Sequence, residues 1–137
     1  MAALTDTKEL TEKANDTGKV SVVASDIIYR GAIVKINAAG NGEPASAEAG
    51  AVFAGMATET ADNSSGAAGD INCKIQRKGQ FLFDGQSGFL LTDVGQSVFA
   101  SDDQTISVTD AGNEIEVGKI SEFVSASSVW VDLAPLG

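Results

Sequence analysis

From Lys19 onward, short apolar stretches alternate with turn-forming Gly, Asn, Asp and Ser residues. Several stretches alternate with period two: Cys73 and Ile75 point to one side, while Asn72 and Lys74 point to the other. Stretches that recur about every ten residues between turn formers are typical of an all-β barrel or sandwich. The predicted strands are Val20–Ala24, Ala32–Asn37, Val52–Thr60, Ile71–Arg77, Gln80–Phe83, Phe89–Leu91, Ser97–Ala100, Thr105–Val108, Ile115–Phe123 and Ser128–Leu133.

The chain of 137 residues is long enough for one domain and too short for two. We therefore expect an all-β fold with little helix: a small barrel-like or sandwich-like body over residues 19–137, preceded by an N-terminal arm over residues 1–18. The arm contains few large apolar side chains, and one short helix is predicted from Thr5 or Asp6 to about Ala14. Two interpretations of the arm stay open, a frayed terminus and a segment that orders on a partner.

Two segments do not fit the strand rhythm. Ala38–Gly50 and Ala61–Asp70 consist mainly of Ala, Gly, Ser, Asn and acidic residues. They are predicted to be long surface loops, too poor in bulky side chains to enter the core. Such loops either make contacts with a partner or form mobile hairpin tips.

The charge balance limits the classes of partner. Nine basic residues against nineteen acidic ones give a formal net charge of −10. Residues 1–37 are neutral, with five charges of each sign, whereas residues 38–137 carry four basic and fourteen acidic side chains. An acidic body repels phosphate backbones and anionic lipid surfaces, so neither nucleic acid nor a membrane is an expected partner. No apolar run approaches the roughly 20 residues that span a bilayer. The polar N-terminus has no apolar signal-peptide core, so the chain is expected to be made in the cytoplasm.

The residue types that carry most catalytic chemistry are scarce. The chain has no histidine and one cysteine, Cys73, which is predicted to be a small structural side chain. No cofactor or metal site is expected, and the protein is predicted not to be an enzyme. A site built from carboxylates alone is the alternative, and chance pairs among nineteen acids carry no information. Lys74, Arg77 and Lys78 form the one basic cluster of the body. They are either solvated strand charges or a contact with the acidic side chains of a neighbouring subunit.

Eight short sequence motifs lie along residues 20–133: Val22–Ala24, Tyr29–Val34, Ala54–Ala57, Gly79–Phe83, Gly95–Asp103, Thr105–Val108, Val117–Ile120 and Val129–Leu133. Their order and spacing resemble those in the head-decoration, or cement, proteins of tailed bacteriophages, of the lambda-like type. Each motif is common in β proteins, so the resemblance rests on the order and spacing of all eight.

The resemblance implies a β-rich body that assembles, commonly as a homotrimer, on the outer surface of the phage head. It also implies that the protein cements neighbouring subunits of the major capsid protein against the pressure of the packaged genome. In the lambda-like branch the N-terminal arm extends onto that capsid protein. The arm residues expected to contact the capsid here are Leu4, Thr5, Lys8, Leu10 and Lys13. The alternative is a receptor-binding or glycan-binding module of a tail or baseplate. Such a module needs a patch of aromatic side chains, and Trp130, Tyr29 and six Phe are few for that purpose.

Overall fold

Twelve β-strands and one turn of 3₁₀ helix make up the regular structure of residues 16–134 in a computed structural model, which also describes residues 3, 5–7 and 10. The all-β class expected from the sequence is confirmed, and every strand pair in the sheets is antiparallel. The strands are β1 (Thr17–Ser21), β2 (Asp26–Ile28), β3 (Ile33–Ile36), β4 (Gly42–Pro44), β5 (Val52–Ala57), β6 (Ala61–Asn63), β7 (Asn72–Gln76), β8 (Gln80–Phe83), β9 (Ser97–Ala100), β10 (Ile106–Ser107), β11 (Ile115–Ser125) and β12 (Ser128–Leu133). The 3₁₀ turn is Leu91–Asp93.

The first sheet has the strand order β1-β7-β5-β3-β4 and curls around its own core. A single parallel bridge between Val22 and Gly42 joins its two edges. Gly42 has to be glycine there, because a Cβ would overlap the side chain of Val20. The core enclosed by this sheet and the short β2-β6 pair consists of Val20, Val22, Ile28, Ala32, Val34, Ala54, Ala57, Ala61, Cys73 and Ile75.

The second sheet has the order β10-β9-β11-β12-β8 and packs against the first sheet. The larger core lies between the two sheets, so the body is sandwich-like. The first half of the chain contributes Ile33, Ala45, Phe53 and Met56 to it. The second half contributes Phe83, Phe89, Val98, Ala100, Ile106, Ile115, Val117, Ile120, Val129, Val131 and Leu133.

The two segments predicted to be loops both contain strands, which corrects the expectation. Ala38–Gly50 includes β4, which pairs with β3, and its Ala45 is only 4% exposed. Ala61–Asp70 begins with β6, whose Asn63 is buried and donates its side-chain amide to the carbonyl oxygens of Val23 and Ala67 at 3.0 and 2.9 Å. These stretches become strands because neighbouring strands offer hydrogen-bond partners, not because their own side chains favour strands.

The predicted strand Phe89–Leu91 is also wrong. Asp93 accepts a hydrogen bond from the Leu90 backbone N–H at 2.9 Å, and the Asp93 N–H donates to the Leu90 carbonyl at 2.9 Å. These two bonds close the 3₁₀ turn, so the segment leads into that turn and does not form a β-strand. At the other end of the chain, β1 begins at Thr17, two residues before the predicted start of the body. The predicted arm helix lies largely outside the described residues.

Candidate functional site

The predicted capsid-contact residues of the arm are described only in part. Leu4, Lys8 and Lys13 lie outside the described residues. Thr5 and Leu10 are exposed, and Leu10 is 87% exposed although it is a large aliphatic side chain. The contact of these five residues with a capsid stays a prediction.

The predicted subunit-contact residues do not share one face. Lys74 is exposed and points outward from β7, where it lies directly opposite Lys19 of β1. Arg77 lies on the other side, with its guanidinium 2.7 Å from the position that a Cβ would take on Gly18. Lys78 is exposed in the turn before β8. The structure therefore pairs Lys74 with Lys19, which sequence reasoning missed because the register of β1 on β7 is not visible in the sequence.

Two segments almost without charge belong to the second sheet and to the 3₁₀ turn beside it. Residues 85–101 contain one charged residue, Asp93, and residues 123–131 contain none. The Phe89 N–H donates to the carbonyl of Ala126 at 3.1 Å, and the Gly95 N–H donates to the carbonyl of Ile120 at 2.8 Å. The 3₁₀ turn therefore runs alongside the second half of β11, and the two segments meet where Phe89 bonds to Ala126. The exposed charged residues Lys119 and Glu122 of β11 lie beside them, opposite Ser97 and Trp130.

The exposed parts of residues 85–101 and 123–131, which we call the charge-free face, include four aliphatic side chains. Leu90, Leu91, Val94 and Val124 are 61, 70, 45 and 55% exposed. Asp93 does not break the face, because its side chain is buried and its carboxylate accepts the Leu90 N–H. Apolar side chains that cluster in the open mark an interaction surface more often than isolated ones do.

The most elaborate polar cluster surrounds Lys35, which is only 2% exposed. Its ammonium lies 2.9 Å from Glu43 Oε1 and 2.8 Å from Glu48 Oε1, and it donates to Ser46 Oγ at 2.7 Å. The other Glu48 oxygen accepts the Ala38 N–H at 3.0 Å. The backbone carbonyl of Ser46 is a fourth acceptor, at 3.3 Å. The ammonium thus holds the segment 38–50 onto β3 and has a partner for each of its three protons.

Opposing effects act on the pKa values in this cluster. Burial lowers the pKa of Lys35, but the hydrogen bonds and charges of Glu48 and Glu43 outweigh burial and raise it above the ordinary 10.5. The hydrogen bond from Lys35, with a smaller contribution from the Ala38 N–H, lowers the pKa of Glu48 below its ordinary 4.5. Both ions are therefore stabilised in the folded chain.

We expect the folded chain to lose stability in acid through Glu48. Its pKa is lower in the folded than in the unfolded chain, so its contribution is complete above pH 4.5 and is lost as the pH falls through the folded value. Urea unfolding between pH 3 and pH 7 measures this effect. The Glu48→Gln variant should show a shallower loss toward acid than the wild type, whereas Glu122→Gln, which removes an exposed carboxylate on β11, should keep the wild-type slope. Identical acid slopes in Glu48→Gln and the wild type would exclude this role.

Cys73 is fully buried in the core of the first sheet. Burial, and to a smaller extent the charge of Glu59, raises the pKa of its thiol. The thiol therefore stays protonated at neutral pH, as the prediction of a structural side chain requires. Among residues 3, 5–7, 10 and 16–134, no group of three or more Cys, Asp or Glu side chains is arranged to hold a metal ion.

Comparison with protein-family models, with curated proteins and with solved structures finds no match to this chain. Within the part of the chain that the structure describes, no helix has the length and apolar character needed to cross a bilayer.

Proposed function

We propose that this chain is a capsid decoration protein, a structural component of a virion that binds the outer surface of a phage head. In this proposal it cements neighbouring subunits of the major capsid protein, and the charge-free face is the surface of the body that meets the shell. The observation that carries the proposal is that face: four exposed aliphatic side chains in two segments that hold one charged residue between them, in a chain whose net charge is −10.

Such a surface fits a broad contact with another protein. Apolar side chains at the centre of an interface release water on contact, and the absence of charges avoids the cost of burying unpaired ions. The acidic remainder of the body opposes contact through other surfaces and keeps a densely decorated particle soluble. The distribution of charge therefore favours one orientation of the protein on its partner.

The resemblance of the sequence to phage decoration proteins supports the same function and adds the trimer and the role of the arm. A trimer that bridges several capsid subunits binds tightly through effective concentration even when each contact is weak. Because it binds the assembled lattice and not the separated subunits, it stabilises the lattice by mass action. Nothing in this role requires a catalytic group or a cofactor.

Co-sedimentation with expanded capsids of the phage that encodes the chain tests the proposal. We expect Leu91→Asp and Val124→Asp each to weaken binding at least about tenfold, because an unpaired carboxylate would be buried against the shell. Val52→Asp is the matched control for Val124→Asp: Val52 is 40% exposed but lies on β5, away from the charge-free face. It should bind as the wild type does.

A chain that lacks residues 1–15 keeps β1 intact and tests the arm separately. We expect it to bind more weakly than the full chain. Full-strength binding by Leu91→Asp and Val124→Asp would refute the role of the face, and full-strength binding by the truncated chain would refute the role of the arm.

A further inference from the structure

Each of the two five-stranded sheets in residues 16–134 ends in two edge strands, and three of these four edges are protected against pairing with another chain. The β1 edge has Lys19 at its centre, and a charged side chain on an edge strand opposes strand addition. The β4 edge is bridged to Val22 at Gly42, and it ends in Pro44, which has no N–H to donate.

The β10 edge is covered by one side chain. Gln86 accepts the Ile106 N–H at 3.0 Å through Oε1, and its Nε2 donates to the carbonyl of Gln104 at 2.7 Å. The side-chain amide thus occupies the position that a peptide group of a neighbouring strand would take.

The β8 edge has no such protection. Its residues Gln80–Phe83 include neither a charge nor a proline. The Leu133 N–H donates to the Gly79 carbonyl at 3.1 Å, and Val131 lies opposite Phe81. Because hydrogen-bonded and non-hydrogen-bonded pairs alternate, the backbone N–H and C=O groups of Gln80 and Leu82 point away from β12.

An open groove of about 540 Å³ borders this edge. Met56 and Ala57 of the first sheet line it together with Gln104 and Thr105. Leu82 lies at its rim with 46% of its surface exposed. The groove gives an added strand room beside β8.

We propose that β8 pairs with β8 of a second copy of this chain, antiparallel and around a twofold axis that passes Phe81. In this register Gln80 of each copy lies opposite Leu82 of the other, and both pairs use the backbone groups that point outward. Lys78 of each copy then lies opposite Asp84 of the other. Both side chains are exposed, and among the described residues neither forms an ion pair within 4.0 Å. Because Lys78 and Asp84 of one copy complement Asp84 and Lys78 of the other, a second copy of this chain fits the β8 edge, and the strands pair in this register.

A twofold contact of this kind joins copies in pairs and cannot by itself close a trimer. The trimer implied by the sequence resemblance would use another surface, and β8 would then join one trimer to the next. The proposal does not depend on the capsid function, because it concerns the self-association of the purified chain.

Sedimentation equilibrium at about 100 µM tests the pairing, a concentration at which a contact with a micromolar Kd is nearly saturated. We expect Leu82→Lys to halve the mass of the assembly, because the lysine makes the β8 edge like the protected β1 edge. The variant should fold, since the Leu82 side chain is exposed and its backbone groups point outward; circular dichroism checks this. Val52→Lys, at a comparably exposed aliphatic position on β5, is the control and should keep the wild-type mass.

A charge exchange tests the register. Lys78→Glu and Asp84→Lys should each weaken self-association about tenfold, because each places like charges opposite one another. An equimolar mixture of the two variants should recover it, since every opposed pair then has opposite signs. The proposal is overturned if Leu82→Lys has the same mass as the wild type. It is also overturned if neither Lys78→Glu nor Asp84→Lys weakens self-association. A third outcome is possible: the wild type and Leu82→Lys have the same mass, and only Leu82→Lys loses capsid binding. That result would mean that the β8 edge pairs with a segment of another protein and not with a second copy.

Discussion

Gly118→Ala is expected to remove about 3 kcal/mol from the free energy of unfolding, the upper end of the range for overpacked sites. Gly118 lies in β11 between Leu133 of β12 and Val98 of β9. A Cβ there would overlap the carbonyl oxygen of Asp132 and lie 2.9 Å from its carbonyl carbon and 3.1 Å from Leu133 Cα. All three atoms are backbone, so only a separation of β11 from β12 relieves the overlap.

Urea unfolding of Gly118→Ala and Gly18→Ala, side by side, measures this effect. Both glycines lie in strands, but a Cβ on Gly18 would meet only the end of the Arg77 side chain, which can move aside. We expect the Gly18 variant to lose less than about 1 kcal/mol. Equal losses in the two variants would mean that the approach of β12 at Gly118 imposes no constraint.

Lys35→Met is expected to cost about 3 kcal/mol, the lower end of the range for breaking a buried ion pair. Met keeps the length of the side chain but leaves Glu43 and Glu48 facing each other without the ammonium between them. The lower end applies because the two carboxylates keep 23 and 31% of their surface exposed to solvent, which screens their repulsion. Ser46 also loses the partner of its hydroxyl.

Thermal and urea unfolding of Lys35→Met measure this loss. The combined variant with Glu43→Gln and Glu48→Gln isolates the repulsion between the carboxylates, and it should recover part of the lost stability. The cost of Lys35→Met alone should also shrink in acid, because protonation of Glu48 removes its part of the repulsion. A Lys35→Met chain as stable as the wild type at pH 7 would show that the ammonium does not hold segment 38–50.

The strands that sequence reasoning located best are rich in β-branched and aromatic residues and bounded by turn formers. Gln80–Phe83, Ser97–Ala100 and Ser128–Leu133 have the same bounds in the prediction and in the structure. Gly42–Pro44 and Ala61–Asn63 were not predicted, because their own residues do not favour strands and their partners Val34–Ile36 and Asp26–Ile28 supply the hydrogen bonds. Such pairing is a property of the tertiary fold.

The same limit applies to the proposed interaction surface. The scarcity of charge in residues 85–101 and 123–131 can be read from the sequence, but their contact depends on the hydrogen bond from Phe89 to Ala126. The burial of Lys35 likewise depends on two acids from a segment that looks like a solvent-exposed loop. Local patterns thus predict where polar and apolar residues lie along the chain, and the fold decides which of them meet.

Electron cryomicroscopy of mature phage particles is the decisive test of the proposed decoration function. We expect to find this chain at many symmetry-related positions on the outer surface of the head, with Leu90, Leu91, Val94 and Val124 turned toward the major capsid protein. Heads that carry no density for the chain, or a few copies confined to the tail, would contradict it.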